Sequence, residues 1–386
     1  MPARYIILLH DDWEVRGDGL GNVADLQYLP ALALMDIAED LGLKLTFMAE
    51  VAHRLALERF KECHPDLSVQ ARLWDDTVRM MAERGFDVQL HLHPQWLDAR
   101  YVDGRFRVGR RQNIGCYRPD QQEQLIAESV RYLIGLVKSV DQGYQVIAFK
   151  AGCWGLQPSR PLLGILASTG IHIILGVRDG MCIPNQNVDY RRLEERFLPY
   201  HPNVDDVTRV AERPNSLVVI PLQLHAADMI ATVRLALYLG LSKIRERFAS
   251  EDATWRVDMS WPSNQGQKKG RFRFSLRPYR THLKLGALPF SFMKHAFDQV
   301  IKRLQHFDLD LIPIAIECHS KTLKSHMGEV RRFVTYLLDH YGDQIEFMDL
   351  RSFWQYLQER PWLVKSKAVD NEQASAIQLD QRSRAS

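Results

Sequence analysis

Several short apolar runs in this chain each stop at an ionisable residue or a glycine turn, and that recurrence constrains the fold more than any single motif. The first run, Tyr5-Ile-Ile-Leu-Leu9, passes through His10 into the adjacent carboxylates Asp11 and Asp12. Five consecutive large apolar residues fit a strand buried on both faces, the kind found in parallel sheets. The carboxylate pair then falls where the strand meets its loop. Two acidic groups there must be solvated, paired or bound to a cation. A register one or two residues later would bring Glu14 to the same place.

The second run, Phe86 to Trp96, alternates Val88, Leu90 and Leu92 with Gln89, His91 and His93. A period of two is that of a strand, so His91 and His93 share one face, and Pro94 closes the element. Two neutral imidazoles at a strand end can share a zinc-like ion. Val146 to Gly155 is a strand ending in a glycine-flanked turn at Gly152, Cys153 and Trp154. Glycines there let the backbone approach a bound group and offer it N–H donors. Leu217 to His225 and Leu311 to Ser320 each bring a histidine, His225 and His319, to a strand end. Polar groups at the ends of separate strands, with helices between them, form the pattern of a (β/α) barrel active site.

The order Asp11-Asp12, His91-Leu-His93-Pro94, Phe149-Lys-Ala-Gly152 and Glu317-Cys-His319-Ser320 resembles the NodB-type polysaccharide deacetylases. The likeness spans residues 4 to 357 and includes the closing Ile345 to Phe353. It is nearest to the deacetylase-like proteins of surface-polysaccharide gene clusters. The resemblance implies a distorted (β/α) barrel holding one divalent ion, with zinc the leading candidate, and removal of acetyl groups from N-acetylated sugars. It also implies roles. Asp11 would be the catalytic base, Asp12, His91 and His93 the metal ligands, and His319 the general acid. The turn Gly152, Cys153 and Trp154 would hold the oxyanion, with Lys150 and His225 facing substrate. Two departures stand out: Gln95 occupies the position of the family's second histidine, and Lys150 replaces its arginine, whose bidentate fork a lysine lacks. They leave two other readings open, a saccharide-binding barrel without catalysis and a hydrolase of another C–N bond, such as a cyclic amide or ureide.

At 386 residues the chain can form one barrel with a large core, and a 46% hydrophobic fraction is that of a globular protein. A net charge of +3 points to no nucleic-acid partner. Five irregularly spaced cysteines are not a disulfide framework and read as reduced thiols. Met1 to Arg4 leads straight into the first strand, and no run approaches the length of a membrane span. The expected protein is therefore cytoplasmic, without stable membrane insertion, acting on an N-acetylated saccharide or a lipid- or nucleotide-linked sugar. One domain is expected over residues 1–362, with an insertion at about 228–285 and a polar, unstructured tail at 363–386. Within the insertion, 231–248 reads as a helix and 268–277 as an exposed basic strand. His282 and Arg280 could reach substrate from it.

Overall fold

The computed structural model describes residues 4–248, 280–285, 288–307, 309, 311–322 and 326–368. The strand expected at 268–277 lies outside them. Nine helices and fourteen strands are assigned among the described residues. The main-sheet strands are β1 (Arg4–Trp13), β2 (Thr46–Glu50), β3 (Asp87–Leu92), β6 (Ala148–Ala151), β7 (Ile173–Leu175), β10 (Val218–Val219), β13 (Leu311–Cys318) and β14 (Ile345–Phe347). Two small hairpins, β4 (Arg100–Val102) with β5 (Arg105–Arg107) and β8 (Cys182–Ile183) with β9 (Val188–Asp189), lie off it. So does the antiparallel pair β11 (Leu224–Ala226) and β12 (Arg280–His282).

All pairings in the main sheet are parallel, in the order β10-β7-β6-β3-β2-β1-β13, with β14 also on β1. The sheet curls into a distorted (β/α) barrel. No backbone ladder joins β10 to β13. The Gln223 side chain spans that seam instead, donating to Pro313 O at 2.8 Å and accepting from Ala315 N at 3.2 Å. Its amide satisfies the two backbone groups as a strand's peptide would, so neither is left buried and unpaired.

The helices are α1 (Leu29–Asp40), α2 (Val51–Phe60), α3 (Pro65–Glu83), α4 (Pro119–Val137), α5 (Leu162–Ser168), α6 (Met229–Phe248), α7 (Phe290–Leu304), α8 (Met327–Tyr341) and α9 (Leu350–Glu359), and α9 sends Leu350, Phe353 and Leu357 into the barrel interior. The core splits accordingly. Tyr5, Ile7, Leu9 and Trp13 pack in one cluster with the outer helices, whereas Ile6 and Leu8 join Met48, Ala148, Ala315 and the α9 residue Phe353 in the other, inside the barrel. Alternation along β1 therefore decides which polar residues point inward.

Helix α3 begins at Pro65, where proline takes the first helical turn. The chain also stays packed beyond residue 362. Val364 and Ser366 are buried, and Lys365 N donates to Pro199 O at 2.9 Å. Described structure thus continues through Ala368 rather than stopping at the polar composition change.

Candidate active site

β1 does not end at the aspartate pair. It runs on to Trp13, whose indole N–H donates to Gln27 O at 3.1 Å and whose ring lies 5.1 Å from that of Trp74. Anchoring Trp13 on the helix side turns His10, Asp12 and then Glu14 toward the interior. Asp11 faces the other way: its Oδ1 accepts from Ser320 N at 2.6 Å, beside its ladder partner Cys318. Burial raises the Asp11 carboxyl to about 7, against the hydrogen bonds from Ser320. Asp11, expected as the base, is therefore outside the interior cluster. The expectation treated the pair as loop residues, whereas a continuing strand sends neighbours to opposite faces.

β3 presents His91 and His93 on the interior face, and Glu14 meets them. Glu14 Oε2 lies 2.6 Å from His93 Nε2 and 3.4 Å from His91 Nε2. All three residues are buried. His91 Nδ1 lies 2.8 Å from Lys150 O and donates its proton there, so Nε2 faces Glu14; burial would lower this imidazole's pKa, but Asp12 and Glu14 outweigh it and raise it. Imidazole nitrogens and a carboxylate facing one another out of water need a proton or a cation between them. A backbone carbonyl holding the far nitrogen is also how metal-binding histidines are oriented. Two imidazoles and a carboxylate are a donor set for a zinc-like ion, with further coordination positions left for water or substrate. These residues fit a divalent ion. Without one, burial would lower His93, but Glu14 outweighs it and lifts the imidazole to about 10, so a proton takes the cation's place.

Asp12, expected as a ligand, is engaged elsewhere. Lys150 Nζ is only 1% exposed and donates to Asp12 Oδ1 and Glu317 Oε2, both at 2.7 Å, and reaches His10 Nε2 at 3.2 Å. An ammonium has three protons, and these three acceptors use them all. Burial and the Lys150 charge hold His10 at about 3, neutral and able to accept. Lys150 thus lies beneath the cluster and offers no free donor to a substrate. Glu317 also meets His282 Nε2 at 3.0 Å, His319 Nδ1 at 3.4 Å and Lys284 Nζ at 3.5 Å. Burial works against its ionisation, but Lys150, His282 and His319 outweigh it and hold the carboxyl well below its usual range.

His319 completes the group. Its Nε2 lies 3.4 Å from Asp12 Oδ2 and 3.7 Å from Glu14 Oε1. Burial and then Lys284 hold its pKa well below that of free histidine, so the ring rests neutral. Asp12, Glu317 and His319 form a second constellation with ligand-type atoms, directly beside the first.

The turn after β6 is shaped around His93. A Cβ on Gly152 would come 2.6 Å from His93 Cγ and 2.7 Å from its Nδ1, so only glycine lets the strand pass this close. Cys153 and Trp154 follow at φ of 51° and 56°. Left-handed backbone at two residues other than glycine costs roughly 1–3 kcal/mol each, a strain typical of functional turns. Cys153 Sγ donates to Gln112 Oε1 at 3.2 Å, and Gln95 Nε2 lies 3.0 Å from His93 Nδ1. Gln95 therefore touches the far side of a histidine and does not replace one.

His225 is not part of the cluster. In the β11–β12 ladder it pairs with Thr281 while Leu224 pairs with His282, so His282 turns to Glu317 and His225 to Phe292 and His295. Among residues the sequence reading gave no role, Glu50 stands out. It caps α2 through Ala52 N at 3.2 Å and His53 N at 2.6 Å, and it accepts from His93 N at 2.9 Å. It fixes the end of β3 where the histidine sits. The discoverable signal was the period of two through His10, Asp12 and Glu14; nothing local marked Glu50, and Glu317 stood in the motif before His319 without a role of its own.

No protein-family model matches this chain, and no curated protein matches it in sequence. Solved structures do. A Pseudomonas aeruginosa PAO1 protein described as a probable polysaccharide deacetylase is 14% identical, with a TM-score of 0.48 over 93% of this chain and 92% of its own. The Puue allantoinase is 14% identical at 0.48, over 93% and 91%. Polysaccharide deacetylases recur among this chain's structural neighbours. Another, from Mycobacterium smegmatis, is 11% identical at 0.48, over 95% and 93%. Likeness at this level leaves the chemistry to the residues themselves.

Proposed function

We propose that the protein is a metal-dependent hydrolase of a carbon–nitrogen bond that removes an acetyl group from an N-acetylated saccharide. The observation that carries the reading is the buried trio Glu14, His91 and His93, with both imidazole Nε2 atoms turned to the Glu14 carboxylate and His91 Nδ1 held by the Lys150 carbonyl. A divalent ion held there would supply polarisation of the acetyl carbonyl and a water of lowered pKa. The substrate class rests on the sequence resemblance.

In this reading Asp12, not Asp11, is the base, because Lys150 fixes its Oδ1 and leaves Oδ2 to accept the proton of the attacking water. His319 starts neutral, 3.4 Å from that oxygen. It takes the proton from Asp12 and delivers it to the departing nitrogen, so one proton moves from water to amine and the site returns to its starting state. Glu317 faces His319 Nδ1 and steadies the imidazolium that forms in between. The strained turn at Cys153 borders the trio and is where an oxyanion would find backbone donors. Five unpaired cysteines accord with a reducing compartment.

The test is metal analysis of purified protein followed by acetate-release assays on N-acetylated mono- and oligosaccharides, with cyclic ureides as a parallel arm. Metal-dependent acetate release is the expected result. Turnover of ureides alone would move the activity to another C–N bond, and an inert, metal-free protein would overturn the reading.

A further inference from the structure

The chain after β12 lies along the edge of β13 that no main-sheet strand covers. Glu317 N donates to Leu283 O at 3.0 Å and Leu285 N donates to Glu317 O at 2.8 Å, so Lys284 is the bridge partner of Glu317. Leu283 and Leu285 are buried in the cluster shared with the outer helices. Alternation then turns Lys284, like His282 before it, to the side on which the Glu317 carboxylate lies. Glu317 is one residue short of the C-terminal end of β13, and that end of a parallel barrel is where ligands bind.

Glu317 does not need Lys284. Its Oε2 accepts from Lys150 at 2.7 Å and its Oε1 has His282 Nε2 at 3.0 Å. Lys284 Nζ stands off at 3.5 Å, and its ammonium makes no hydrogen bond among the described residues. With its side chain 30% exposed, this ammonium can swing to a ligand without leaving a buried carboxylate unpaired. A second ammonium lies close by: Lys321 Nζ donates to Glu14 Oε1. The two lysines bracket His319. Its Nδ1 is 3.4 Å from the Glu317 oxygen that Lys284 faces, and its Nε2 is 3.7 Å from the Glu14 oxygen that Lys321 holds. Among these groups Asp12, Glu14 and Glu317 already balance Lys150, Lys284 and Lys321 in charge. A divalent ion at the trio would leave them with positive charge in excess, which a negative group on the substrate would offset.

Given the deacetylase reading above, on which this rests, we infer that the saccharide carries an anionic group, a carboxylate or a phosphate, and that Lys284 binds it. An ammonium on a flexible stem is a point-charge donor that suits either anion. Lys284 and His319 meet the same Glu317 oxygen, so the anion would lie on the sugar that bears the acetamido group or on its linkage.

The experiment follows acetate release by the zinc-loaded full chain from N-acetylglucosamine, its 6-carboxylate and its 1-phosphate, for the parent, Lys284→Gln and Lys284→Arg. The parent should use at least one of the two anionic sugars with kcat/KM about tenfold or more above the neutral sugar, and the sugar it prefers separates carboxylate from phosphate. Lys284→Gln should lose most of that preference through a higher KM for the anionic sugar, and Lys284→Arg should keep it. Calorimetric binding of the matching deacetylated products to the same proteins reads the preference without turnover. Glu317 keeps Lys150 and His282 in the variants, so their circular dichroism should match the parent. Acetate release with no anionic preference, or a Lys284→Gln defect shared equally by neutral and anionic sugars, would overturn the anion assignment and leave the deacetylase reading standing. No acetate release, with Lys284-dependent binding of an anionic product, would overturn that reading and keep Lys284 as an anion site. Neither release nor preferential binding would overturn both.

Discussion

Replacing Lys150 with methionine tests the electrostatic design of the barrel interior most sharply. The ammonium is buried and satisfies two carboxylates at 2.7 Å each. Burial disfavours its charge, but Asp12 and Glu317 outweigh that and raise its pKa. Methionine fills similar space and removes the charge, leaving Asp12 with His319 alone and Glu317 with His282, Lys284 and His319. Breaking a buried ion pair by deleting one partner costs about 3–5 kcal/mol, so Lys150→Met should lose that much near neutral pH. The loss should also depend on pH. In the parent, Glu317 has its pKa depressed, so its contribution is present above the ordinary carboxyl value and is lost as pH falls through the depressed one. In the variant a buried carboxyl takes up a proton instead, so the deficit is largest at high pH and shrinks on acidification. Each unit of pKa rise between parent and variant is worth about 1.4 kcal/mol. Urea denaturation of chelator-treated protein at about pH 8 and about pH 5 measures both effects without metal-linked stabilisation. A deficit under about 1 kcal/mol, or one that grows toward low pH, would refute the assignment of Lys150 as the cation that neutralises this pair.

Other perturbations have equally direct readouts. Gly152→Ala should push the His93 ring aside and weaken metal binding about 10- to 100-fold in a chelator competition, since its Cβ would sit 2.6 Å from His93 Cγ. His319→Ala should lower turnover by about two to four orders of magnitude while the ion is retained; loss of the ion would make His319 a ligand instead. Burial, then the Arg54 charge, holds His53 at about 3, below its unfolded value, so its contribution is full above about pH 6.5 and is lost as pH falls below that. His53→Gln should therefore flatten the stability profile between about pH 6.5 and pH 5 by about 2 kcal/mol, measured by urea unfolding. Gln223→Ala strips the seam of its amide and exposes Pro313 O and Ala315 N, which should cost about 2–4 kcal/mol in the same assay.

The strands were legible because a parallel barrel buries both faces of each, so Tyr5–Leu9, Val88–Leu92 and Leu311–Ile316 read as apolar runs. His91 and His93 were legible because a two-residue period needs no tertiary knowledge. Where Asp11 and Asp12 point turned on one local question, whether the chain was still a strand at residue 11. The answer depended on Trp13, whose outward anchor is made by Gln27 and Trp74, distant in sequence. Glu317 and Lys150 were visible in the sequence, but their pairing joins positions 167 residues apart across the barrel. His225 was misread for a related reason, since only the β11–β12 ladder tells which of its neighbours turns inward.

Zinc titration of chelator-stripped protein, followed calorimetrically for the parent, Glu14→Ala and Asp12→Asn, tests the central claim most directly. The account predicts about one ion per chain in the parent, at least about a hundredfold weaker binding in Glu14→Ala, and retained binding without turnover in Asp12→Asn. An ion lost with Asp12 and kept without Glu14, or no binding to the parent at all, would contradict it.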